Sequence, residues 1–117
     1  MIIDDSASLR QVVAISLRGA GYEIQEAADG RDALDKLKGQ KVNLMICDLN
    51  MPNLDGIGFV KEVKKMPLYR YTPIIILTTE HDENIVKAGQ EAGVKAWVLK
   101  PFQPPQMLAA VAKLCLP

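Results

Sequence analysis

Two cysteines, Cys47 and Cys115, and one histidine, His81, are all the thiol and imidazole this sequence has. Cysteines so far apart are no disulfide framework and read as reduced thiols of a cytosolic protein. One histidine leaves no His/Cys set for zinc. An excess of either charge is missing too. Fourteen Lys+Arg balance fourteen Asp+Glu, with a pI near 6.6, whereas a free-standing nucleic-acid binder usually carries a basic surplus. Apolar runs such as Ile74–Leu77 fall far short of the ~20 residues of a membrane span. Met1–Asp5 has neither the basic region nor the apolar core of a signal peptide. There is no linker, repeat or low-complexity stretch. What is present is a globular balance, 49% hydrophobic and 24% charged, in 117 residues. That length suits one domain, 1–117, and is too short for a protein kinase or a TIM barrel. The expectation is a soluble, cytoplasmic, monomeric protein that binds neither nucleic acid nor membrane.

Short apolar runs alternate with segments of helical period. Met1–Ile3 ends on Asp4-Asp5, and Ser6 can cap a helix with Leu9, Val12, Val13, Leu17 and Ala20 on one face. Tyr22–Gln25 is a strand candidate. Asp29-Gly30 opens a second helix with Ala33, Leu34 and Leu37 inward, closed by Gly39. Val42–Cys47 is nearly all apolar and ends on Asp48. A third helix carries Phe59, Val60 and Val63 and stops near Pro67. Ile74–Leu77 ends on Thr78-Thr79. Asp82 can cap a fourth helix bearing Ile85, Val86, Gly89 and Ala92, ended by Gly93. Lys95–Leu99 ends on Lys100-Pro101. Pro104 and Pro105 suit the first turn of a last helix, with Met107, Leu108, Val111 and Leu114 inward. Five strand–helix units imply an α/β fold with parallel strands and right-handed crossovers. The second strand is the most polar and is expected at an edge. The first is unusually short, about three residues against a typical five or six.

Ligands of an open α/β sheet bind beyond the carboxyl ends of its strands. Those ends carry Asp4-Asp5, Asp48, Thr78 and Lys100. Carboxylates about 5 Å apart repel by roughly 3 kcal/mol per pair at an effective dielectric of 20. Three pairs approach ~10 kcal/mol, comparable to the stability of a whole small domain. Such a cluster is tolerated when protonated or neutralised by a cation. Lys100 supplies one positive charge, and an all-oxygen site suits Mg2+. A carboxylate beside a metal, a lysine and a hydroxyl is also equipped to attack phosphorus and form an aspartyl phosphate. The bland alternative is an acidic edge of helix caps, with Thr78 an ordinary strand end.

Asp4-Asp5-Ser6, the segment Asp48-Leu49-Asn50-Met51-Pro52-Asn53-Leu54-Asp55-Gly56, Leu77-Thr78-Thr79-Glu80 and Lys100-Pro101-Phe102 together resemble the CheY-like receiver domain of bacterial response regulators. The resemblance covers essentially the whole chain. It implies a flavodoxin-like, doubly wound sheet of five parallel strands in order 2-1-3-4-5, with five helices in an αβα sandwich. It implies Asp48 as phosphoacceptor and Mg2+ held by Asp5 directly, by Asp4 through water, and by Asp48 and the Asn50 main-chain carbonyl. Thr78 and Lys100 are then the phosphate-binding residues, and Lys100–Pro101 is expected to be cis. Trp97 takes the place of the switch aromatic, where the family usually has Tyr or Phe. Asn50 and Glu80 would tune dephosphorylation and imply a short-lived phosphoform.

The motif details look most like diffusible chemotaxis regulators, which take phosphate from a CheA-like histidine kinase and bind the flagellar motor switch. Lys87, Gln90, Lys95, Gln106 and Lys113 are then contact residues on the face of the fourth helix, fifth strand and fifth helix. Such a protein is a phosphoacceptor with self-dephosphorylation, not a multiple-turnover enzyme. The alternatives are a receiver excised from a larger regulator or hybrid kinase, and a single-domain regulator with a non-motor target. A phosphatase of the aspartyl-phosphate type usually has Asp where this chain has Asn50. A flavin or nucleotide binder needs a Gly/Ser/Thr-rich phosphate loop where this chain has Asp4-Asp5.

Overall fold

A computed structural model describes residues 1–115; residues 116 and 117 of the expected domain lie outside the described residues. Strands and helices alternate as β1 (Ile2–Ile3), α1 (Ala7–Gly19), β2 (Glu26–Ala27), α2 (Gly30–Leu37), β3 (Met45–Cys47), α3 (Gly56–Lys64), β4 (Ile74–Thr78), α4 (Glu83–Ala92), β5 (Ala96–Leu99) and α5 (Pro104–Leu114). All pairings are parallel, in the order β2-β1-β3-β4-β5. This is the flavodoxin-like arrangement expected.

Period-two alternation along buried strands divides the core between the two sheet faces. Ile3, Met45, Cys47, Ile74 and Ile76 pack with residues of α2, α3 and α4. Ile2, Ile46, Ile75, Leu77 and Val98 pack with residues of α1 and α5. The helices start where side-chain oxygens satisfy their first free N–H groups. Ser6 accepts from Leu9 N–H (3.2 Å), Asp29 from Asp32 (2.8 Å), Asp55 from Gly58 (2.7 Å) and Asp82 from Asn84 (2.8 Å). Gly93 ends α4 at φ 115°, a conformation suited to glycine. None of the helices among the described residues is long and apolar enough to cross a membrane.

Three sequence expectations shift. The second strand is Glu26–Ala27, not Tyr22–Gln25. It pairs with β1, whose two residues align as Ile2↔Glu26 and Ile3↔Ala27. The apolar spacing of Tyr22 and Ile24 reflects packing on the α1/α5 side of the core. The third strand begins at Met45 rather than Val42, because the ladder to β4 starts at Met45↔Ile74. On α1 the buried stripe is Val13, Ala14 and Leu17; Val12 is 48% exposed. One residue is a turn of about 100°, so Val12 cannot share the centre of the Val13–Leu17 face.

Register is what positions the site. Ile3 pairs with Cys47, Cys47 with Ile76, and Thr78 with Leu99. The residues that follow, Asp4, Asp48 and Lys100, therefore emerge at one edge. The order reverses between β1 and β3, and that switch point is where an open sheet leaves a crevice.

Candidate functional site

Asp48 follows β3, and its N–H still donates to the Ile3 carbonyl (2.8 Å). The side chain is buried, with Oδ1 accepting from the Leu49 N–H at 2.8 Å. Lys100 Nζ lies 3.4 Å from the same oxygen and 3.7 Å from Asp4 Oδ2. Asp4 is buried as well; its Oδ1 accepts from Ser6 N–H (2.8 Å), and Arg10 donates to its main-chain carbonyl. Asp5 is exposed, yet one oxygen each from Asp4, Asp5 and Asp48 lie within 4.8 Å of one another. Burial pushes the Asp4 carboxyl up from its ordinary value. The Ser6 N–H and Lys100 oppose that rise, and Asp48 and Asp5 add to it.

Three carboxylates against one ammonium leave a deficit of two positive charges. Every donor is a hard oxygen, so the residues present fit a divalent cation of the Mg2+ type. Asp4, Asp5 and Asp48 are the side chains placed to hold it. Asn50 is exposed at the start of the adjoining loop.

Thr78 ends β4, with its hydroxyl buried and accepting from the Glu80 N–H (3.2 Å). Its carbonyl accepts from the Lys100 N–H (2.8 Å), which ties the lysine backbone to the neighbouring strand. Lys100–Pro101 is cis, as expected. The Glu80 carboxylate accepts from the N–H groups of His81 (3.1 Å) and Asp82 (2.9 Å). It is thus engaged with its own loop. The Glu80 carbonyl accepts from the Trp97 indole N–H (2.7 Å). Glu80 therefore touches both the site hydroxyl and the aromatic ring, a link that sequence spacing does not reveal.

Two glycines were not predicted to matter here. A Cβ on Gly56 would sit 2.4 Å from the Asp48 carbonyl oxygen; only glycine lets α3 begin against the Asp48 backbone. A Cβ on Gly89 would sit 2.7 Å from the Trp97 ring. The missing methyl in α4 is what admits an indole, half-buried, where a smaller ring would need less room. The signal for Gly56 was an Asp-Gly pair at a helix start. Nothing in the sequence pairs Gly89 with Trp97.

Cys47, beside Asp48, is fully buried in the α2/α3/α4 side of the core, and its thiol donates to the Asp48 carbonyl (3.1 Å). Burial first, then the negative charge of Asp48, hold that thiol well above its usual range. It is packing, not a reactive group. Met51 and Met66 also pack on this core, and Cys115 on the other face.

Comparison with known proteins agrees with this geometry. Residues 1–112 match the family model described as the response regulator receiver domain. The chain is 33% identical over 115 residues to "Chemotaxis protein CheY" of Thermotoga maritima, covering 97% of this chain and 94% of that protein. It is 38% identical over 111 residues to "Probable transcriptional regulator ycf27" of Porphyridium aerugineum, covering 95% of this chain and 45% of that one. The chain thus spans a little under half the length of the ycf27 relatives it matches. Among solved structures, Vibrio cholerae chemotaxis protein CheY4 superposes with a TM-score of 0.92 at 41% identity, covering 97% and 94% of the two chains.

Two outcomes are expected. Because the folded protein holds Asp4 with a raised pKa, the metal-free protein loses stability as pH climbs from about 3.9, the ordinary aspartate value, through the raised one. Asp4→Asn removes that loss. In EDTA, urea unfolding then finds the Asp4→Asn variant more stable than wild type at neutral pH, with the gap closing in acid; a less stable variant contradicts it. Gly89→Ala displaces the Trp97 ring, so tryptophan emission shifts to the red with helix content retained. An unshifted spectrum contradicts the close contact.

Proposed function

The chain belongs to the response regulator receiver family of two-component signalling, and we propose that Asp48 is the residue that accepts a phosphoryl group from a histidine kinase. The observation that carries this is the state of its carboxylate: Oδ1 is occupied by Leu49 N–H and Lys100, and Oδ2 has no partner among the described residues. Oδ2 attacks the phosphorus of a kinase phosphohistidine. A new O–P bond forms, the P–N bond breaks, and its electron pair returns to the imidazole. Asp4, Asp5, Asp48 and the Asn50 carbonyl would hold a divalent cation, which when bound would supply positive charge to the phosphoryl oxygens. Lys100 pairs with those oxygens from the other side. The Thr78 hydroxyl accepts from Glu80 N–H and keeps its own proton to donate to a phosphoryl oxygen.

That last bond is also the start of the switch. Drawing Thr78 toward phosphate pulls on Glu80, whose carbonyl holds Trp97. The phosphoform favours a different arrangement of the β4–α4 loop and of the face made by α4, β5 and α5. Lys87, Gln90, Lys95, Gln106 and Lys113 are all exposed and serve as contacts there. Asn50 and Glu80 set the rate of hydrolysis, Glu80 after its carboxylate leaves the His81 and Asp82 amides. The domain is then a self-dephosphorylating phosphoacceptor rather than a multiple-turnover enzyme.

Likeness to the CheY proteins of Thermotoga maritima and Helicobacter pylori supports a CheA-like kinase as donor and the flagellar motor switch as target. Likeness to the ycf27 regulators favours a second reading, a receiver that works within a transcriptional regulator. Phosphate-dependent binding to a motor-switch peptide separates them.

Incubation with Mg2+ and acetyl phosphate is expected to add one phosphoryl group, labile to hydroxylamine and decaying within minutes. Asp48→Asn abolishes it with the fold retained. Undiminished labelling of that variant, a phosphoform lasting hours, or steady turnover of a phosphomonoester contradicts the assignment.

A further inference from the structure

The loop from Leu49 to Asp55 follows directly on Asp48 and carries Asn50. At its base the loop is closed on itself, with Gly56 N–H donating to the Leu49 carbonyl (2.8 Å), and further contacts reach outside it. Those contacts are on the start of α2, remote in sequence. Asn53 has φ 69°, the left-handed region that asparagine tolerates better than other side chains bearing a Cβ. From there its side-chain amide donates to Asp29 Oδ2 at 2.9 Å, across 24 residues of sequence. The other oxygen of the same carboxylate, Oδ1, caps α2 through Asp32 N–H at 2.8 Å. Asp32 N–H first and the Asn53 amide second hold the Asp29 carboxyl below its usual range, so it is an ionised acceptor for both.

The next residue is seated on the same helix start. A Cβ on Gly30 would lie 2.9 Å from the Leu54 carbonyl oxygen and 3.0 Å from the Leu54 Cβ. Gly30 is buried there, and the half-buried Leu54 packs against the α2/α3/α4 side of the core. A hydrogen bond and a close steric fit therefore act on two consecutive loop residues, both directed to Asp29 and Gly30.

We propose that Asp29, Gly30 and Asn53 form a latch that holds the β3–α3 loop, and the Asn50 carbonyl with it, in the position the divalent-cation site requires. They are positioning residues; none of them is a ligand. The inference rests on the reading of Asp48 as a phosphoacceptor in such a site. Its physical basis is preorganisation: a loop already ordered spends none of the binding energy on ordering. Without the latch, that ordering is taken out of cation affinity.

The test is calorimetric titration of the purified protein with MgCl2, which needs no phosphorylation. Asn53→Gly keeps the left-handed backbone and deletes the amide. Asp29→Ser keeps a helix cap and deletes the second acceptor oxygen. Each is expected to weaken Mg2+ by about 3- to 10-fold, the scale of one lost hydrogen bond. The double variant should match either single one within about twofold, because both delete the same contact. Gly30→Ala improves intrinsic helix propensity and is nevertheless expected to weaken Mg2+ with helix content retained. Unchanged affinity in Asn53→Gly or Gly30→Ala overturns the latch. So do losses that multiply in the double variant, which would mark a charge effect of Asp29 separate from the loop. A wild-type protein that gives no Mg2+ isotherm overturns the phosphoacceptor reading itself.

Discussion

Mutual repulsion among Asp4, Asp5 and Asp48 is the constraint around which this molecule is arranged. Parallel pairing puts Ile3 opposite Cys47, so the backbones of Asp4 and Asp48 leave the sheet side by side. Two of them are buried, and oxygens of all three meet within 4.8 Å. One ammonium, Lys100, stands against them. The stability lost to such crowding, several kcal/mol by Coulomb's law at an intermediate dielectric, is carried by the core beneath. Both faces of β3 and β4 are covered by helices and fully buried. A fold of this kind can keep an unfavourable site because its stability is generated elsewhere.

The same constraint explains what surrounds the carboxylates. Lys100 is held in place by its backbone bond to Thr78, so the counter-charge does not depend on a flexible stem alone. Gly56 brings α3 against the Asp48 backbone. From Thr78 a short run of contacts leads outward, through the Glu80 N–H and carbonyl to the Trp97 indole over Gly89. In the proposed function, these contacts are the route by which a change in charge at Asp48 would reach the α4/β5/α5 face.

Much of the site was legible in the amino-acid order, for a simple reason. Strands buried on both faces are continuous apolar runs, so a charged residue at the end of one stands out. Asp4-Asp5 and Asp48 stood out in this way, Thr78 as a hydroxyl at the end of such a run and Lys100 as the charge closing the less buried β5, and the parallel α/β topology followed from the alternation. The edge strand was misplaced because Tyr22 and Ile24 alternate like a strand while packing as loop. Its true span is set by the two residues β1 offers for pairing. Contacts between distant segments were not legible. Gly89 makes room for Trp97, and Gly30 for Leu54, only once α4 meets β5 and α2 meets the β3–α3 loop. A glycine in a helix is otherwise just a weak helix former. The loop-bound carboxylate of Glu80 was hidden for the same reason, since its partners are fixed by the turn and not by residue type.

The central claim is that the carboxylate crowding is relieved by a divalent cation. The direct measurement is the free energy of unfolding against Mg2+ concentration at constant ionic strength. A site of this kind predicts a rise that becomes linear in the logarithm of Mg2+, reaching about 2.7 kcal/mol at a hundred times the dissociation constant, and lost in Asp5→Asn. Stability that ignores Mg2+, or that rises equally with potassium at matched ionic strength, would contradict it.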